Sequence, residues 1–156
     1  MNGPDAVELL LIEDDPQDLE LVLRALGKSN LNRQIHVARY GAEALDFVFC
    51  EGPHAGRDAS NVPRVILLDL KLPKINGLEV LRRIRADSRT DMIPVVVLTS
   101  SKERSDVVES YRLGVSSYVV KPVNSERFSE AVRNIGLYWL LLNLPPGGAG
   151  KTVRLA

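Results

Sequence analysis

Short apolar runs alternate along the chain with longer amphipathic stretches. Three runs, Val7–Ile12, Val65–Leu68 and Val95–Leu98, are continuously apolar and flanked by polar residues. Runs of this kind are typical of strands that a parallel sheet buries on both faces. Gln34–Arg39 and Ser117–Lys121 predict two further strands, and the first is polar enough to lie nearer an edge of the sheet.

The stretches between these runs have the periodicity of helices. Pro16 marks the start of the first helix, in which Leu19, Val22, Leu23 and Leu26 form one apolar face. The later helices are predicted over Gly41–Cys50, Gly77–Ala86, Glu103–Leu113 with Gly114 as its C-terminal glycine, and from the cap Ser125 to about Asn143. Because strands and helices alternate, we predict βαβ units, right-handed crossovers and a doubly wound α/β fold around a mostly parallel sheet.

Size and composition fit one globular domain. The chain has 156 residues, 45% of them apolar, and we expect a domain over residues 1–144 and a flexible tail over 145–156. Glu51–Pro63 is polar and rich in glycine and proline, which predicts an extended surface loop.

Charge and cysteine content narrow the function classes. Lys plus Arg and Asp plus Glu both number 20, which argues against binding nucleic acid through overall charge. The single Cys50 rules out an internal disulfide and favours a reducing compartment. The N-terminus lacks the pattern of a signal peptide, and no apolar run is long enough to span a membrane. We therefore expect a cytoplasmic protein without nucleic-acid or membrane partners.

Polar side chains follow four of the predicted strands at their carboxyl ends. They are Glu13 and Asp14 after the first strand, Asp69 after the third, Thr99 and Ser100 after the fourth, and Lys121 at the end of the fifth. Because ligands of doubly wound sheets bind beyond the carboxyl ends of the strands, we expect these side chains to form one site.

The residue types in this set suit phosphoryl transfer to a carboxylate. Three clustered carboxylates repel one another unless a cation joins them, and a hard cation such as Mg²⁺ binds oxygen ligands. Lys121 and Thr99 can donate to phosphate oxygens, while Asp69 can act as a nucleophile that forms an acyl phosphate.

Each residue also has a simpler interpretation when it is taken alone. Asp15 before Pro16 is explained as a helix cap, and Thr99 and Ser100 could cap the fourth helix. Asp69 could be a solvated strand end, and Lys121 a solvated surface lysine. The functional interpretation is favoured because all of these residues are expected at one edge of one predicted sheet.

Four segments resemble the receiver domains of two-component response regulators. They are LLLIEDDP at 9–16, VILLDLKLPKINGLEVL at 65–81, VVVLTSS at 95–101 and YVVKPV at 118–123. The order and spacing of Asp69, Thr99 and Lys121 also match, and the resemblance covers roughly residues 7 to 143. It implies a flavodoxin-like fold with strand order 2-1-3-4-5 and an extended C-terminal helix.

The resemblance implies a role for each matching position. Asp69 corresponds to the phospho-accepting aspartate, Asp14 to a direct metal ligand, and Glu13 to an acid that often acts through a metal-bound water. Lys71 would contribute its backbone carbonyl to Mg²⁺ or Mn²⁺, and Lys121 would bind the phosphoryl group. The implied protein is a regulator rather than an enzyme, with chemistry limited to its own phosphorylation and dephosphorylation.

A second group of positions resembles the switch of such receivers. Thr99 corresponds to the switch hydroxyl, with Ser100 beside it, and Tyr118 to the switch aromatic. A half-buried strand tyrosine remains the alternative for Tyr118. Pro122 corresponds to a proline that often follows a cis peptide bond, and Gly77 to the glycine that shapes the turn beyond the phospho-acceptor.

The loop over Glu51–Pro63 and the ending LYWLLLNLPP narrow the resemblance to small response regulators that partner bacterial phytochromes. A sensor histidine kinase would then supply the phosphoryl group. Output would depend on protein–protein contacts, since the residues after Asn143 are too few for a DNA-binding unit.

The end of the fifth helix carries more apolar residues than one face needs. We expect Phe128, Val132, Ile135, Trp139 and Leu142 to face the core, leaving Leu137, Tyr138, Leu140, Leu141 and Leu144 on other faces. The sequence thus predicts a homodimer whose interface includes Tyr138, Leu140, Leu141 and Leu144. A thicker core contact beneath the long loop is the alternative.

Two other functions fit an α/β sheet of this kind. A metal-dependent aspartyl phosphohydrolase resembling the haloacid-dehalogenase-type phosphatases would place a second acid two residues after the nucleophile, where this chain has Lys71. A flavodoxin-like nucleotide binder would need a phosphate-binding Gly/Ser/Thr loop after the first strand, where this chain has EDDPQD.

Overall fold

Five parallel strands form one sheet in the computed structural model, which describes residues 7–27, 34–121 and 126–146. The strands are β1 (Leu9–Ile12), β2 (Ile35–Ala38), β3 (Val65–Leu68), β4 (Val95–Thr99) and β5 (Ser117–Val120). Their order is β2-β1-β3-β4-β5, which confirms the predicted flavodoxin-like topology. Each predicted strand is present, and the edge position predicted for the second is correct.

Helices connect the strands and cover both faces of the sheet. They are α1 (Pro16–Gly27), α2 (Gly41–Val48), α3 (Gly77–Ala86), α4 (Arg104–Arg112) and α5 (Glu126–Leu137), with a short 3-10 turn over Gly52–His54. The Asp15 side chain accepts hydrogen bonds from the N–H groups of Gln17 and Asp18, so Asp15 caps α1 as expected. Gly114, with φ of 76°, follows α4 as its C-terminal glycine.

The core consists of two apolar layers, one on each face of the sheet. Leu10 and Ile12 of β1 point into the layer beneath α2 and α3, whereas Leu9 and Leu11 point into the layer beneath α1 and α5. All four residues of β1 are buried, because a central parallel strand is covered on both faces. Polar residues that follow such a strand therefore emerge only at its ends.

The loop over Glu51–Pro63 lies on the surface, as predicted, and one arginine fastens it to α2. The Arg57 guanidinium stacks over the Phe47 ring at 3.7 Å and donates to the Phe47 carbonyl and, at 2.9 Å, to the Asn61 carbonyl. His36 of β2 stacks on the same ring, with 4.0 Å between the ring centroids. The loop is thus tied to the α2 edge by packing that its composition did not indicate.

At the end of the fifth helix, the apolar face that meets the core differs from the predicted stripe. Residues Tyr138–Leu142 form a π-helical turn, in which the Asn143 N–H donates to the Tyr138 carbonyl at 2.8 Å. Because such a turn holds an extra residue, the face that meets the core shifts. Leu140 is buried at 5% exposure, whereas Leu142 is 52% exposed.

Two predictions about this segment were therefore wrong. Leu142 does not face the core, and Leu140 is not available to a dimer partner because it packs beneath α1 and accepts a hydrogen bond from buried Arg64 at 2.5 Å. The alternative of a thicker core contact is correct for Leu140. The other proposed interface residues, Tyr138, Leu141 and Leu144, are exposed.

Some predictions concern residues outside the described ranges. The cis peptide bond before Pro122, the cap Ser125 and the tail from residue 147 onward belong to this group. Among the described residues, no helix has the length and apolar character needed to cross a membrane.

Candidate functional site

The carboxyl ends of β1 and β3 bring three acids together. The Asp69 N–H donates to the Ile12 carbonyl at 3.0 Å, which places the residues after β1 and β3 side by side. One carboxylate oxygen each from Glu13, Asp14 and Asp69 lies within 4.8 Å of the others. Glu13 and Asp69 are almost fully buried, at 2% and 5% exposure. The cluster predicted from the sequence is therefore present.

Lys121 lies at the centre of this cluster. Its Nζ is 2.6 Å from Glu13 Oε1, 3.0 Å from Asp69 Oδ2 and 2.7 Å from Asp18 Oδ2. The Lys121 backbone N–H donates to the Thr99 carbonyl at 2.9 Å, which holds the base of the side chain at the end of β4. An ammonium group has three donors, and in this arrangement each of them has a carboxylate partner.

The second oxygen of Asp69 is also held in place. Asp69 Oδ1 accepts a hydrogen bond from the Lys71 N–H at 3.0 Å, while Oδ2 faces Lys121. The Asp69 side chain is therefore fixed at both oxygens, which excludes the simpler interpretation of a solvated strand end. The Lys71 side chain is exposed at the mouth of the site, and the metal contact of its carbonyl stays a prediction.

Burial, together with an excess of negative over positive charge, shifts the ionisation of the residues in the cluster. Burial, followed by the charge of Asp69, raises the pKa of Glu13 to about 8, although Lys121 partly opposes the shift. Burial alone would lower the pKa of Lys121, but hydrogen bonds to Asp18 and Glu13 and the charge of Asp69 raise it above the ordinary value. Buried, mutually repelling oxygen ligands of this kind fit a hard divalent cation.

We expect Glu13 to make the metal-free protein less stable as the pH rises from 4.5 towards about 8, whereas burial of His36, which lowers the pKa of that ring, has the opposite effect below pH 6.5. The folded protein holds a proton on Glu13 up to a pKa of about 8, whereas the unfolded chain loses it near 4.5, so folding binds a proton throughout this window. Urea titrations between pH 5.5 and 8.5 should show a smaller decline for Glu13→Gln, because its amide cannot ionise. Mg²⁺ should restore more stability at pH 8 than at pH 5.5, and equal restoration would contradict this account.

Thr99 and its neighbours link the site to α4. Thr99 is fully buried at the end of β4, and its Oγ1 accepts a hydrogen bond from the Ser101 N–H at 3.3 Å. Ser100 is exposed. The contact with the start of α4 comes from Ser101, whose hydroxyl donates to Asp106 at 2.6 Å and accepts from the Glu103 N–H at 3.3 Å. Capping of α4 by Thr99 or Ser100 is therefore not observed.

Tyr118 connects β5 to the same loop. Its ring is partly buried against the α2 and α3 layer, and its hydroxyl donates to the Ser101 carbonyl at 2.9 Å. Burial raises the pKa of Tyr118 above the ordinary value. The description of a half-buried strand tyrosine is correct for the ring, and the hydroxyl hydrogen bond joins this residue to the loop after Thr99.

Sequence reasoning missed Asp18 as a member of the site. Asp18 lies in the first turn of α1, and its carboxylate reaches Lys121. The available signal was its position in the first turn of α1, the helix that starts directly after the acids at the end of β1.

Comparisons with known proteins identify similar sequences over most of the chain. The family model described as "Response regulator receiver domain" matches residues 9–133. The chain is 38% identical over 149 residues to the probable methanogenesis regulatory protein FilR2 of Methanothrix harundinacea, covering 96% of this chain and 94% of that protein. It is also 38% identical over 132 residues to the response regulator Rcp1 of Synechocystis, covering 85% of this chain and 88% of that protein.

Solved structures of response regulators are also similar to this chain in sequence and in fold. The bacteriophytochrome response regulator RtBRR is 53% identical with a TM-score of 0.72, covering 95% of this chain and 89% of that one. The phosphorylated cyanobacterial phytochrome response regulator RcpA is 36% identical with a TM-score of 0.81, covering 90% and 98%. The Mn²⁺-bound form of Rcp1 is 36% identical with a TM-score of 0.80, covering 90% and 99%.

Proposed function

Because the chain belongs to the response regulator receiver family and is homologous to phytochrome-associated members, we propose that it is switched by phosphorylation of Asp69. The observation that carries this proposal is the placement of Asp69. Its two oxygens are held by the Lys71 N–H and the Lys121 ammonium beside the acid pair Glu13 and Asp14. The phosphodonor that we propose is a sensor histidine kinase of the bacterial phytochrome type, acting in the cytoplasm.

The chemistry needs only a nucleophile and groups that neutralise charge. An oxygen of Asp69 attacks phosphorus, a P–O bond forms, and the bond from phosphorus to the donor breaks with its electron pair leaving on the donor. The Lys71 N–H holds one Asp69 oxygen, and the Lys121 ammonium beside the other oxygen would offset the charge that the phosphoryl oxygens gain. Asp69 is thereby oriented before the donor arrives.

Mg²⁺ or Mn²⁺ is the metal that we propose for this site. Glu13, Asp14 and Asp69 offer carboxylate oxygens, and the Lys71 backbone carbonyl completes the ligands proposed from this chain. The bound metal would supply positive charge to the phosphoryl oxygens. The Mn²⁺-bound state of Rcp1 supports this proposal by analogy, as does the excess of negative charge in the cluster.

Output would follow from a change of surface. Thr99 and Ser100 would turn toward the phosphoryl group, and the loop that carries Ser101 would move with them. Because the Tyr118 hydroxyl holds the Ser101 carbonyl, this movement would reach β5 and α4. The phosphoryl group shifts the equilibrium only if it binds one arrangement better than the other.

A phosphohydrolase is the less favoured function. Such an enzyme would need a second acid where Lys71 stands, and an exposed lysine side chain does not supply one. Membership of a family of phospho-accepting regulators also disfavours it. Catalysis would be confined to the chain's own phosphorylation and the hydrolysis of its acyl phosphate.

A phosphotransfer experiment tests the proposal. Purified protein is incubated with Mg²⁺ and acetyl phosphate, or with a phosphorylated bacteriophytochrome kinase, and its intact mass is followed. We expect a gain of one phosphoryl group that requires Mg²⁺, is removed by hydroxylamine and is absent from Asp69→Asn. The same gain in Asp69→Asn would refute the assignment of Asp69.

We also propose a homodimer that uses the exposed end of the fifth helix. Tyr138, Leu141, Leu142 and Leu144 are all more than two-fifths exposed, and burial of such a patch favours association. The double variant Leu141→Glu and Leu142→Glu should be monomeric in light scattering. We expect this both in the unphosphorylated state and in the state that beryllofluoride produces as a mimic of phosphorylation. The control is Tyr40→Glu, which changes an exposed aromatic side chain after the edge strand β2. A parent protein that is monomeric in both states would contradict the dimer.

A further inference from the structure

Asp18 binds the lysine of the site without belonging to the acid cluster. Asp18 Oδ2 lies 2.7 Å from Lys121 Nζ, and the Asp18 side chain is 22% exposed while that of Lys121 is 8% exposed. The three acids whose oxygens converge within 4.8 Å are Glu13, Asp14 and Asp69, and Asp18 is not one of them. Asp18 is also fixed on α1, which is anchored at its start by the Asp15 cap.

The other two partners of Lys121 are acids that a metal would use. The ammonium contacts Glu13 Oε1 and Asp69 Oδ2, and both residues belong to the acid cluster. A divalent cation bound to these two carboxylates therefore weakens their attraction to Lys121, because it takes up the negative charge with which the ammonium pairs. A buried ammonium that lost all of its partners would be strongly destabilised, so metal binding needs a carboxylate that the metal does not take.

We infer that Asp18 is a positioning residue for Lys121, whose carboxylate keeps the ammonium at the strand ends while a divalent cation engages Glu13 and Asp69. The inference deepens the function proposed for this site and rests on it. Asp18 holds Lys121 with one donor and leaves the other two free to turn toward phosphoryl oxygens. Without metal, Asp18 is one of three carboxylate partners of Lys121. With metal bound, it is the partner that remains. Removal of Asp18 therefore destabilises the metal-bound state more than the metal-free state, and this weakens metal binding.

Two simpler roles make different predictions. If Asp18 only joins α1 to the end of β5, its loss lowers stability and leaves metal affinity unchanged. If Asp18 only adds negative charge near the metal, its effect does not depend on Lys121, and Asp18→Glu is equivalent to the parent protein. A positioning role needs both the carboxylate at its present place and the ammonium that it holds.

Mg²⁺ binding to the unphosphorylated protein, measured by isothermal titration calorimetry, separates these roles. We expect Asp18→Asn to raise the Kd for Mg²⁺ by about three- to tenfold, in line with coupling energies between contacting charged residues. The control is Glu20→Gln on the same helix, which removes the same charge from a side chain that is 69% exposed and paired with Arg24. Its Kd should stay near that of the parent protein.

A double-mutant cycle with Lys121→Met shows whether Asp18 acts through the lysine. In that background, Asp18→Asn should change log Kd by less than half as much as in the parent protein. If Lys121→Met does not fold, Asp18→Glu is measured instead. Its carboxylate lies one methylene further from α1 and should hold Lys121 less well. We therefore expect Asp18→Glu to recover less than half of the change in log Kd that Asp18→Asn causes.

Each outcome decides the inference. An unchanged Kd in Asp18→Asn, with or without lower thermal stability, overturns it while leaving the proposed function intact. An equal loss in the Lys121→Met background, or full recovery by Asp18→Glu, also overturns it in favour of a direct charge effect. If the folded parent protein binds no Mg²⁺, the proposed function fails first and the inference with it.

Discussion

Replacement of Lys121 by methionine is expected to destabilise the metal-free protein by about 3 kcal/mol. The ammonium is the shared partner of Glu13, Asp18 and Asp69, and the Lys121 side chain is 8% exposed. Methionine preserves much of the length of the side chain but leaves buried carboxylates facing one another. Urea denaturation at pH 7.5 measures the loss. Because Mg²⁺ can replace the missing positive charge, saturating Mg²⁺ should return much of the lost stability.

The control for this variant is Lys102→Met, which removes a lysine from an exposed position in the loop before α4. Its stability should stay within about 0.5 kcal/mol of the parent protein, as is usual for surface substitutions. Phosphorylation by acetyl phosphate should be lost or greatly slowed in Lys121→Met and unchanged in Lys102→Met. Equal stability of the two variants would mean that Lys121 does not hold the cluster together.

Replacement of Gly77 by alanine is expected to destabilise the protein by about 2–3 kcal/mol. A Cβ atom built at Gly77 would lie 2.4 Å from the Asp69 carbonyl oxygen and 2.6 Å from the Leu70 Cα. Both neighbours are backbone atoms, and the Gly77 N–H donates to the Leu70 carbonyl at 3.0 Å, so the turn has little freedom to move. The expected sign is opposite to helix propensity, which favours alanine over glycine.

The matched control is Gly56→Ala, because nothing lies within 4 Å of a Cβ atom at Gly56. Thermal and urea denaturation of both variants measure the difference. Because the added methyl group in Gly77→Ala would press on the Asp69 carbonyl, we also expect slower phosphorylation by acetyl phosphate. A Gly77→Ala variant as stable as Gly56→Ala would show that the turn is not closely packed against Asp69.

The fold could be predicted because its signals are local and agree with one another. The run Val65–Leu68 became β3 with the same bounds, and Gly77–Ala86 became α3 with the same bounds. Alternation of such segments leaves few topologies once crossovers are right-handed. The acids of the site followed from the same reasoning, because residues after parallel strands emerge at one edge of the sheet.

The features that were missed depend on contacts between distant segments. Asp18 looked like an ordinary acid in the first turn of a helix, and only the reach of Lys121 from β5 makes it part of the site. The role of Ser101 was hidden in the same way, because it depends on Asp106 and Tyr118. Spacing along the sequence does not show which of several possible partners a single polar residue contacts.

The prediction of the apolar stripe at the end of the fifth helix was wrong for a different reason. A period of 3.6 residues assigned Leu142 to the core, whereas the π-helical turn over Tyr138–Leu142 brings Leu140 there instead. The buried Arg64 side chain donates to the Leu140 carbonyl within that turn. An extra residue in one turn has no clear sequence signal, so a periodicity argument places the residues beyond it on the wrong faces.

The central claim is that Asp69 accepts the phosphoryl group, and chemical trapping tests it most directly. The protein is phosphorylated in Mg²⁺ by acetyl phosphate and reduced with borohydride, which converts an aspartyl phosphate to homoserine, and its peptides are mapped by mass spectrometry. We expect homoserine at position 69 and unmodified Asp14 and Asp18. Trapping at another acid, or none in folded protein that binds Mg²⁺, would contradict this claim.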